Sequence, residues 1–315
     1  MAPISTLIEK GYVDVGKNGR ETNPVNIYYE KHGDGPEKVL LVMGLSTPCF
    51  GWELQVNYLA TSGKYTVVIF DNRGMGHSDS PIGLYSTSQM ARDALILLDH
   101  LGWTQDVHVN GVSMGGMISL EMVDAAPNRF SSLTLTSTTA KRNIPTWAAI
   151  SALSKITFFY NNPRDKLNAA MELVYPEQWL IQKPQNPSKA AKFDTNREMA
   201  TSNFMNHVSR SKLQPIHGNI GQTAACLRHS VSDERLLKLK KTGLPVLVVT
   251  GTWDNLVRPQ YSYHLKKILD PRFELFEGSG HAIPEEQPDR YNAIIDDHFS
   301  YAASLVAGTT SSSKL

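Results

Sequence analysis

The chain alternates between short apolar runs and segments in which apolar residues recur at helical spacing. Between these runs, residues 88–101, 117–126 and 261–269 place their apolar side chains on one helix face. Strands that alternate with helices favour βαβ units, and continuous apolar runs are typical of strands covered on both faces. The pattern therefore predicts an α/β fold with a mostly parallel central sheet flanked by helices. The runs predicted as its strands are residues 39–43, 65–70, 107–109, 133–135, 246–249 and 273–276.

Two regions depart from this alternation. Residues 11–15 and 25–30 each alternate between apolar and polar positions and are separated by a Gly/Asn turn, which predicts an antiparallel hairpin. Residues 140–230 are rich in aromatic residues and proline breaks, with short helical patterns and no convincing strand. A stretch of this length is too long for a plain loop, so we expect a helical cap.

These patterns divide the chain into three parts. We expect residues 1–139 and 231–302 to form the core domain and residues 140–230 to form the cap, called the predicted cap below. Residues 308–312 are small and polar, and we expect residues 303–315 to form a flexible tail.

A G-x-S-x-G pattern follows the strand run at 107–110 and precedes a helix. A sharp turn there would put Ser113 in a strained backbone conformation with its hydroxyl exposed above the strand ends. Residues two before and two after come too close for side chains, and both are glycine, Gly111 and Gly115. The following helix N-terminus favours negative charge. Ser113 is therefore the candidate nucleophile.

A serine nucleophile needs a base, and the base needs a group that orients it. Asp254 follows the strand run at 246–249, and His281 follows the run at 273–276. The carboxyl ends of parallel strands share one edge of a sheet, where ligands bind. We therefore expect Ser113, Asp254 and His281 to meet there.

Several motifs together resemble those of the α/β-hydrolase fold superfamily, in its serine-nucleophile, esterase- and lipase-like members. Besides the G-x-S-x-G pattern, residues 71–79 resemble the D-x-R-G-x-G-x-S-D stretch of that family, and residues 44–52 resemble its oxyanion loop. The resemblance covers nearly the whole chain and implies the α/β-hydrolase fold. It also implies that Ser113 attacks an acyl carbon, His281 takes and returns the proton, and Asp254 holds the imidazole.

The oxyanion loop departs from the family at its start, where this chain has Met43-Gly44 and many relatives have His-Gly. Because the oxyanion donors are backbone N–H groups, the resemblance still implies Met114 and Leu45 as the donors. Aromatic residues of the predicted cap either line an acyl pocket or fix the cap to the core. The candidate pocket residues are Gly44, Ser46, Trp147 and Trp179.

Composition excludes several other classes. Lys plus Arg is 31 and Asp plus Glu is 30, a net charge of +1 that gives no support to nucleic-acid binding or a polybasic membrane surface. Two cysteines are too few for a disulfide framework, and no Cys/His cluster predicts zinc. We expect no cofactor, no metal and no membrane span, since the most apolar stretch is short.

The chain finishes Ser313-Lys314-Leu315, which matches the peroxisomal import address. It predicts the peroxisomal import receptor as a partner and the peroxisomal matrix as the location. If the tripeptide is a coincidence, the expected location is the cytoplasm. A fatty ester, an acyl thioester or an intermediate of secondary metabolism then becomes a plausible small-molecule substrate.

The leading functional hypothesis is a serine hydrolase that cleaves a small or medium apolar ester, thioester or lactone through an acyl-enzyme. Two alternatives use the same triad, a C–C bond hydrolase and an aminopeptidase whose cap carboxylates hold the substrate amine. A third alternative is non-catalytic, because some proteins of this fold keep the triad and serve as ligand receptors. The sequence does not predict an oligomeric state.

Overall fold

A computed structural model describes residues 6–16, 23–143, 146–160 and 162–312. Its centre is an eight-stranded sheet with the order β1-β2-β4-β3-β5-β6-β7-β8, in which β1, β2 and β4 pair antiparallel and all other neighbours pair parallel. The predicted hairpin and mostly parallel sheet are therefore present. The strands are β1 Leu7–Asp14, β2 Asn26–His32, β3 Glu37–Val42, β4 Tyr65–Phe70, β5 Val107–Val112, β6 Phe130–Thr136, β7 Val246–Gly251 and β8 Arg272–Phe276.

Strand β5 continues three residues beyond the predicted run and is buried along its whole length. The polar residues His108 and Asn110 interrupt its apolar pattern, although both are fully buried. Their side chains have partners, because His108 Nδ1 lies 2.8 Å from Ser132 Oγ and Asn110 Oδ1 accepts a hydrogen bond from Tyr291. Buried polar groups are tolerated when they are paired in this way, so the apolar pattern alone underestimates the strand.

Helices cover both faces of the sheet. Alternate residues of β3 enter two separate apolar clusters, Leu40 on the side of α2 and α3, and Leu41 on the side of α1 and α13. This alternation follows from the two-residue period of a strand. The helices that pack with the core are α1 Glu53–Thr61, α2 Thr87–His100, α3 Met114–Ala125, α10 Asp233–Lys241, α11 Pro259–Leu269, α12 Ile283–Glu286 and α13 Pro288–Ser312.

The described residues of the predicted cap are helical, with connecting turns and no strand. The N–H of Val231 donates to the carbonyl of Ala140 at 2.7 Å, so the two ends of this segment meet. A π-helical turn, Lys155–Phe159, follows the first helix. The helices are α4 Trp147–Ser154, α5 Pro163–Val174, α6 Glu177–Ile181, α7 Pro187–Ala190, α8 Asn196–Ser209 and α9 Ile216–Arg228.

The C-terminal segment differs from expectation. Helix α13 continues through residues 303–312, which we expected to form a flexible tail. Ala302, Ala303 and Leu305 are strong helix formers, which favours a helix over the first residues of this segment. The predicted targeting residues Ser313, Lys314 and Leu315 lie outside the described residues. None of the helices that the structure describes is long and apolar enough to cross a membrane.

Candidate active site

Ser113 occupies the sharp turn between β5 and α3. Its φ of 57° and ψ of −121° lie in a region that residues other than glycine rarely adopt. Four hydrogen bonds fix this backbone. Ser113 N–H donates to the carbonyl of Thr136, and its own carbonyl accepts from Thr138 Oγ1 and from the N–H groups of Gly116 and Met117. Strain held in this manner is typical of functional sites. The first N–H groups of α3 have no partner within the helix and are available beside Ser113.

Close backbone approach explains the glycines around Ser113. A Cβ on Gly111 would lie 2.4 Å from the carbonyl oxygen of Gly115, and a Cβ on Gly115 would lie 2.0 Å from that of Val42. Neither space admits a side chain. The sequence interpretation of Gly111 and Gly115 as the flanks of a tight turn therefore agrees with the packing around Ser113.

Asp254 and His281 meet at the same edge of the sheet, each in the loop after its strand. His281 Nδ1 lies 2.8 Å from Asp254 Oδ2, while Asp254 Oδ1 accepts the N–H groups of Leu256 and Val257, both at 2.9 Å. Asp254 is 2% exposed. The carboxylate is thus held by its own loop and aimed at the imidazole. Among the described residues, no hydrogen bond joins the Ser113 hydroxyl to His281.

The environment of His281 favours its protonated form. Burial lowers the pKa of His281, but the Asp254 charge, the Asp254 hydrogen bond and the Glu286 charge outweigh it, and the net shift of the pKa is upward. Glu286 accepts the N–H of Gly280 with both carboxylate oxygens, at 3.0 and 2.9 Å. Burial raises the pKa of Glu286 to about 7. A second carboxylate therefore stands behind the base loop.

Residues 44–52, called the oxyanion loop below after the family stretch that they resemble, lie directly against Ser113. A Cβ on Gly44 would come within 3.2 Å of Ser113 Cβ, so glycine brings this backbone close to the serine. Leu45 follows Gly44, and its carbonyl accepts from Thr47 Oγ1 at 3.2 Å. Met114 is the first residue of α3. The predicted donors Leu45 and Met114 thus belong to the two segments that flank Ser113.

Asp71 and Asn72 tie the oxyanion loop to the neighbouring 71–79 loop. Asp71, fully buried, accepts the N–H groups of Cys49 at 2.7 Å and His77 at 2.8 Å, and Asn72 Nδ2 donates to the carbonyl of Met43 at 2.9 Å. Burial raises the pKa of Asp71, although these donors act in the opposite direction. These contacts give the family-like 71–79 stretch a structural role beside the site.

The other candidate pocket residues lie in different surroundings. Ser46 is bound to α9, because its N–H donates to Gln222 Oε1 at 3.0 Å and its Oγ accepts from Asn219 Nδ2 at 2.8 Å. Trp179 stacks on Tyr175, with ring centroids 4.8 Å apart. Trp147 is 85% exposed, so it does not line an enclosed pocket here.

The predicted cap also contacts the loops of the acid and the base. Val174, at the end of α5, accepts the N–H of His281 at 2.9 Å, and Asn143 Nδ2 donates to the carbonyl of Leu256 at 2.9 Å. The cap segment thus touches the loops that carry Asp254 and His281. Within the described residues, no group of three or more His, Cys, Asp or Glu side chains is placed to hold a metal ion.

Sequence reasoning did not find Glu286 or Gln222. Glu286 lies five residues after His281, a local signal that could have singled it out. Gln222 lies on α9, and its contact with Ser46 spans 176 residues. Nothing in the local pattern of α9 indicates that contact.

Comparisons with known proteins place this geometry in context. A family model described as alpha/beta hydrolase fold matches residues 39–288. The 3-oxoadipate enol-lactonase 2 of Acinetobacter baylyi is 26% identical over 276 residues, which cover 86% of this chain and 92% of that relative. The putative carbamate hydrolase RutD of Azorhizobium caulinodans is 32% identical over 157 residues, which cover 50% of this chain and only 57% of that relative.

Solved structures share the same architecture. A thermophilic esterase from Thermogutta terrifontis superposes with a TM-score of 0.72 at 21% identity, covering 93% of this chain and 99% of its own. The enol-lactonase from Burkholderia xenovorans gives a TM-score of 0.72 at 19% identity, with 92% and 100% covered. The meta-cleavage product hydrolase from Pseudomonas fluorescens gives 0.68 at 20% identity, with 94% and 98% covered. At these identities the likeness concerns the fold.

Proposed function

The chain belongs to the α/β-hydrolase fold family, and from that premise we propose that it is a serine hydrolase of small or medium apolar esters, thioesters or lactones. One observation carries the proposal. Ser113 lies on a strained turn after β5, and a hydrogen-bonded His281–Asp254 pair lies in the loops after β7 and β8, so all three residues follow strands whose carboxyl ends share one edge of the sheet. A nucleophile, a base and a group that orients the base are the parts that acyl transfer requires.

In the proposed reaction, Ser113 Oγ attacks the acyl carbon while His281 Nε2 takes the hydroxyl proton. The tetrahedral oxyanion accepts hydrogen bonds from the N–H groups of Met114 and Leu45, and donors of this kind contribute about 2.7–4 kcal/mol each. Collapse breaks the bond to the leaving group, which receives the proton from His281. Water then attacks the acyl-enzyme with the same base, and the acid leaves as Ser113 Oγ is reprotonated.

We include lactones among the proposed substrates because one of the relatives is named as a lactonase. The enol-lactonase 2 of Acinetobacter baylyi aligns with 86% of this chain and 92% of its own length. An internal ester reacts by the same steps as an open one, with the leaving alcohol retained in the product. We therefore include lactones beside esters and thioesters.

A substrate panel tests the proposal. Purified wild-type protein and Ser113→Ala are assayed with p-nitrophenyl esters of increasing chain length, acyl thioesters, lactones and a vinylogous diketone. We expect turnover of at least one acyl substrate and a loss of about 10³-fold or more in Ser113→Ala. Turnover of the diketone alone would assign the chain to C–C bond hydrolysis, and turnover unchanged in Ser113→Ala would overturn the proposal.

We further propose that Ser313, Lys314 and Leu315 address the protein to the peroxisomal import receptor. A terminal Ser-Lys-Leu is read by that receptor as an address and not as a membrane anchor. The proposal rests on the sequence of the tripeptide.

A further inference from the structure

The centre of the oxyanion loop has a backbone conformation that its sequence does not favour. Ser46 has a φ of 56°, in the left-handed region, and it is not a glycine. For such a residue this region costs about 1–2 kcal/mol. Ser46 directly follows Leu45, the proposed oxyanion donor. A fixed Ser46 N–H fixes the Leu45–Ser46 peptide, which adjoins the Gly44–Leu45 peptide that carries the Leu45 N–H. Some group must hold it there.

Helix α9 of the predicted cap supplies that group. Gln222 Oε1 accepts the N–H of Ser46 at 3.0 Å, and Asn219 Nδ2 donates to Ser46 Oγ at 2.8 Å. Gln222 is fully buried, whereas Ser46 is partly buried. Both bonds therefore lie partly buried at the boundary between the cap and the core.

The hydrogen bonds of Gln222 fix the orientation of its amide. Nε2 donates to the carbonyl of Arg73 at 2.9 Å, and Oε1 also accepts from Gln214 Nε2 at 3.1 Å. A flipped amide would aim an N–H at the Ser46 N–H and an oxygen at the Arg73 carbonyl, so it would lose both bonds. One orientation alone satisfies the two loops. Gln222 is thus a bridge between the oxyanion loop and the 71–79 loop.

The backbone of α9 is docked closely enough to make this bridge rigid. A Cβ on Gly218 would lie 2.4 Å from the carbonyl oxygen of Gly74, and a Cβ on Gly221 would lie 2.6 Å from the ring of Tyr85. The helix axis therefore approaches the core loops without side chains in between. Because interiors are close-packed, a helix seated in this way transmits its position to the side chains it carries.

We infer that Gln222 is a positioning residue for the oxyanion loop, and that it holds Ser46 so that the Leu45 N–H faces the developing oxyanion. Asn219 assists through the Ser46 hydroxyl. The inference rests on the proposed function, because it assigns a role within the same reaction. It makes the predicted cap part of the oxyanion site, in addition to any part it takes in covering the substrate.

Replacing Gln222 by methionine tests the inference, since methionine has a similar length and volume but offers neither hydrogen bond. An oxyanion exists in the transition state and not in bound substrate, so kcat should fall while KM stays nearly constant. We expect kcat of Gln222→Met to fall about 10- to 100-fold, with KM within about threefold of wild type. Asn219→Ala should lower kcat less, about threefold.

Asn196→Ala is the matched control. Asn196 is a buried cap amide whose Nδ2 donates to the carbonyl of Trp179 at 2.9 Å and whose backbone N–H donates to the carbonyl of Gln182, so both contacts lie within the predicted cap. It should lower thermal stability about as much as Gln222→Met and leave kcat within about twofold of wild type. If the two variants lose stability alike and kcat is unchanged in both, or if Gln222→Met raises KM alone, Gln222 is merely structural and the inference fails.

Ser46→Gly gives a second, independent test. Glycine adopts a positive φ without a steric cost, so the loop should depend less on Gln222. We expect Gln222→Met to reduce kcat by a smaller factor in the Ser46→Gly background than in wild type. An equal factor in both backgrounds would contradict the idea that Gln222 holds the Ser46 backbone.

Hydrogen exchange separates this inference from the proposed function. The Ser46 amide should exchange at least tenfold faster in Gln222→Met than in wild type and Asn196→Ala, whether or not a substrate is known. Absence of turnover on every acyl substrate together with faster Ser46 exchange would overturn the proposed function but keep the contact. Unchanged exchange would overturn the positioning role even in an active hydrolase.

Discussion

Two serines at the site adopt a positive φ, Ser113 at 57° and Ser46 at 56°. Each lies in a loop at the carboxyl edge of the sheet, and each is held by several hydrogen bonds. Strained residues persist when their surroundings determine them, and they cluster where a site must be formed before its ligand arrives. At the residue scale, the geometry of the proposed site therefore depends on the groups that hold these two serines as much as on the serines themselves.

The base loop gives a prediction at the same scale. The proposed reaction requires neutral His281. The fall of kcat/KM at low pH, called the acid limb of the pH profile, therefore reports the protonation of His281. The Glu286 charge is one of the causes that raise the pKa of His281. In Glu286→Gln that charge is lost, the pKa of His281 falls, and the acid limb should move to lower pH. The measurement is the pH profile of kcat/KM.

Glu285→Gln serves as the control for this profile. Glu285 accepts a hydrogen bond from Tyr175 at 2.8 Å and is not among the causes of the His281 shift. Its acid limb should coincide with that of wild type. An acid limb that stays in place in Glu286→Gln, or that moves equally in both variants, would contradict the assigned role of the Glu286 charge.

Candidate catalytic residues could be predicted from sequence because each follows a recognisable strand. Asp254 and His281 come directly after apolar runs, and parallel strands bring such residues to one edge, where the structure joins them by a hydrogen bond. Gln222 could not be predicted, since its contact depends on how α9 docks. Trp147 was expected near a pocket from its residue type alone, and its exposure depends on packing that the sequence does not encode locally.

At the scale of elements, patterning predicted strands well where their residues are apolar. Strand β4 begins and ends at the predicted residues, whereas β5 and β6 extend beyond their apolar runs. The added residues include Asn110, Ser132 and Thr136, which are buried and each make a side-chain hydrogen bond. The order of α4 to α9 could not be predicted, because short helices broken by proline carry weak periodicity. Their placement is decided by contacts with the core loops.

Helix α9 packs so closely on the 71–79 loop that a single added methyl group should disturb it. Gly218→Ala would put a Cβ 2.4 Å from the carbonyl oxygen of Gly74, where backbone must move. Alanine favours a helix over glycine by about 1 kcal/mol, but overpacking of this kind costs about 1–3 kcal/mol. We expect a lower melting temperature and a lower kcat, since a displaced α9 moves Gln222.

Thr223→Ala is the comparison for Gly218→Ala, because it also places alanine on α9 but at a partly buried position. It should keep both the melting temperature and kcat near the wild-type values. If Gly218→Ala proves as stable and as active as Thr223→Ala, the close contact between α9 and the 71–79 loop is not rigid.

At the scale of the whole molecule, a layered core carries the sheet edge, and a helical segment reaches four loops of the site. The acid loop, the base loop, the oxyanion loop and the 71–79 loop each make a hydrogen bond to residues 140–230. The stability of the site is consequently tied to the stability of the fold. Because some buried groups are titratable, the stability of the fold, and with it the stability of the site, depends on pH.

His298 is one such buried titratable group, and it should make the stability of the fold depend on pH. It is 2% exposed, and burial, together with His108 and Arg272, lowers the pKa of His298 to about 4, while Asp297 acts in the opposite direction. The unfolded chain binds a proton at higher pH than the folded one, so stability is present above pH 6.5 and falls as pH drops toward 4. At pH 5 the loss is about 2 kcal/mol.

The test compares wild type with His298→Leu in urea unfolding at pH 7.5 and pH 5. The comparison is needed because the raised pKa of Glu286 changes stability in the opposite direction over this range. Between the two pH values, wild type should lose about 2 kcal/mol more than the variant. An equal loss in both proteins would show that His298 does not titrate as its burial requires.

Location is also a property of the whole molecule. A fluorescent protein fused to the N-terminus should give punctate, peroxisomal fluorescence in a eukaryotic cell, and deletion of Ser313, Lys314 and Leu315 should make it diffuse. Punctate fluorescence that survives the deletion would contradict the import proposal.

Covalent labelling of Ser113 tests the central claim most directly. A fluorophosphonate probe reacts with a serine whose hydroxyl is activated by a base, and peptide mass spectrometry identifies the labelled residue. We predict labelling of wild type at Ser113, none of Ser113→Ala at that peptide, and labelling slowed about 10³-fold or more in Asp254→Asn, in which the imidazole is no longer oriented. Absence of labelling at Ser113 in the folded wild-type protein, or an unchanged rate in Asp254→Asn, would contradict the serine-hydrolase account.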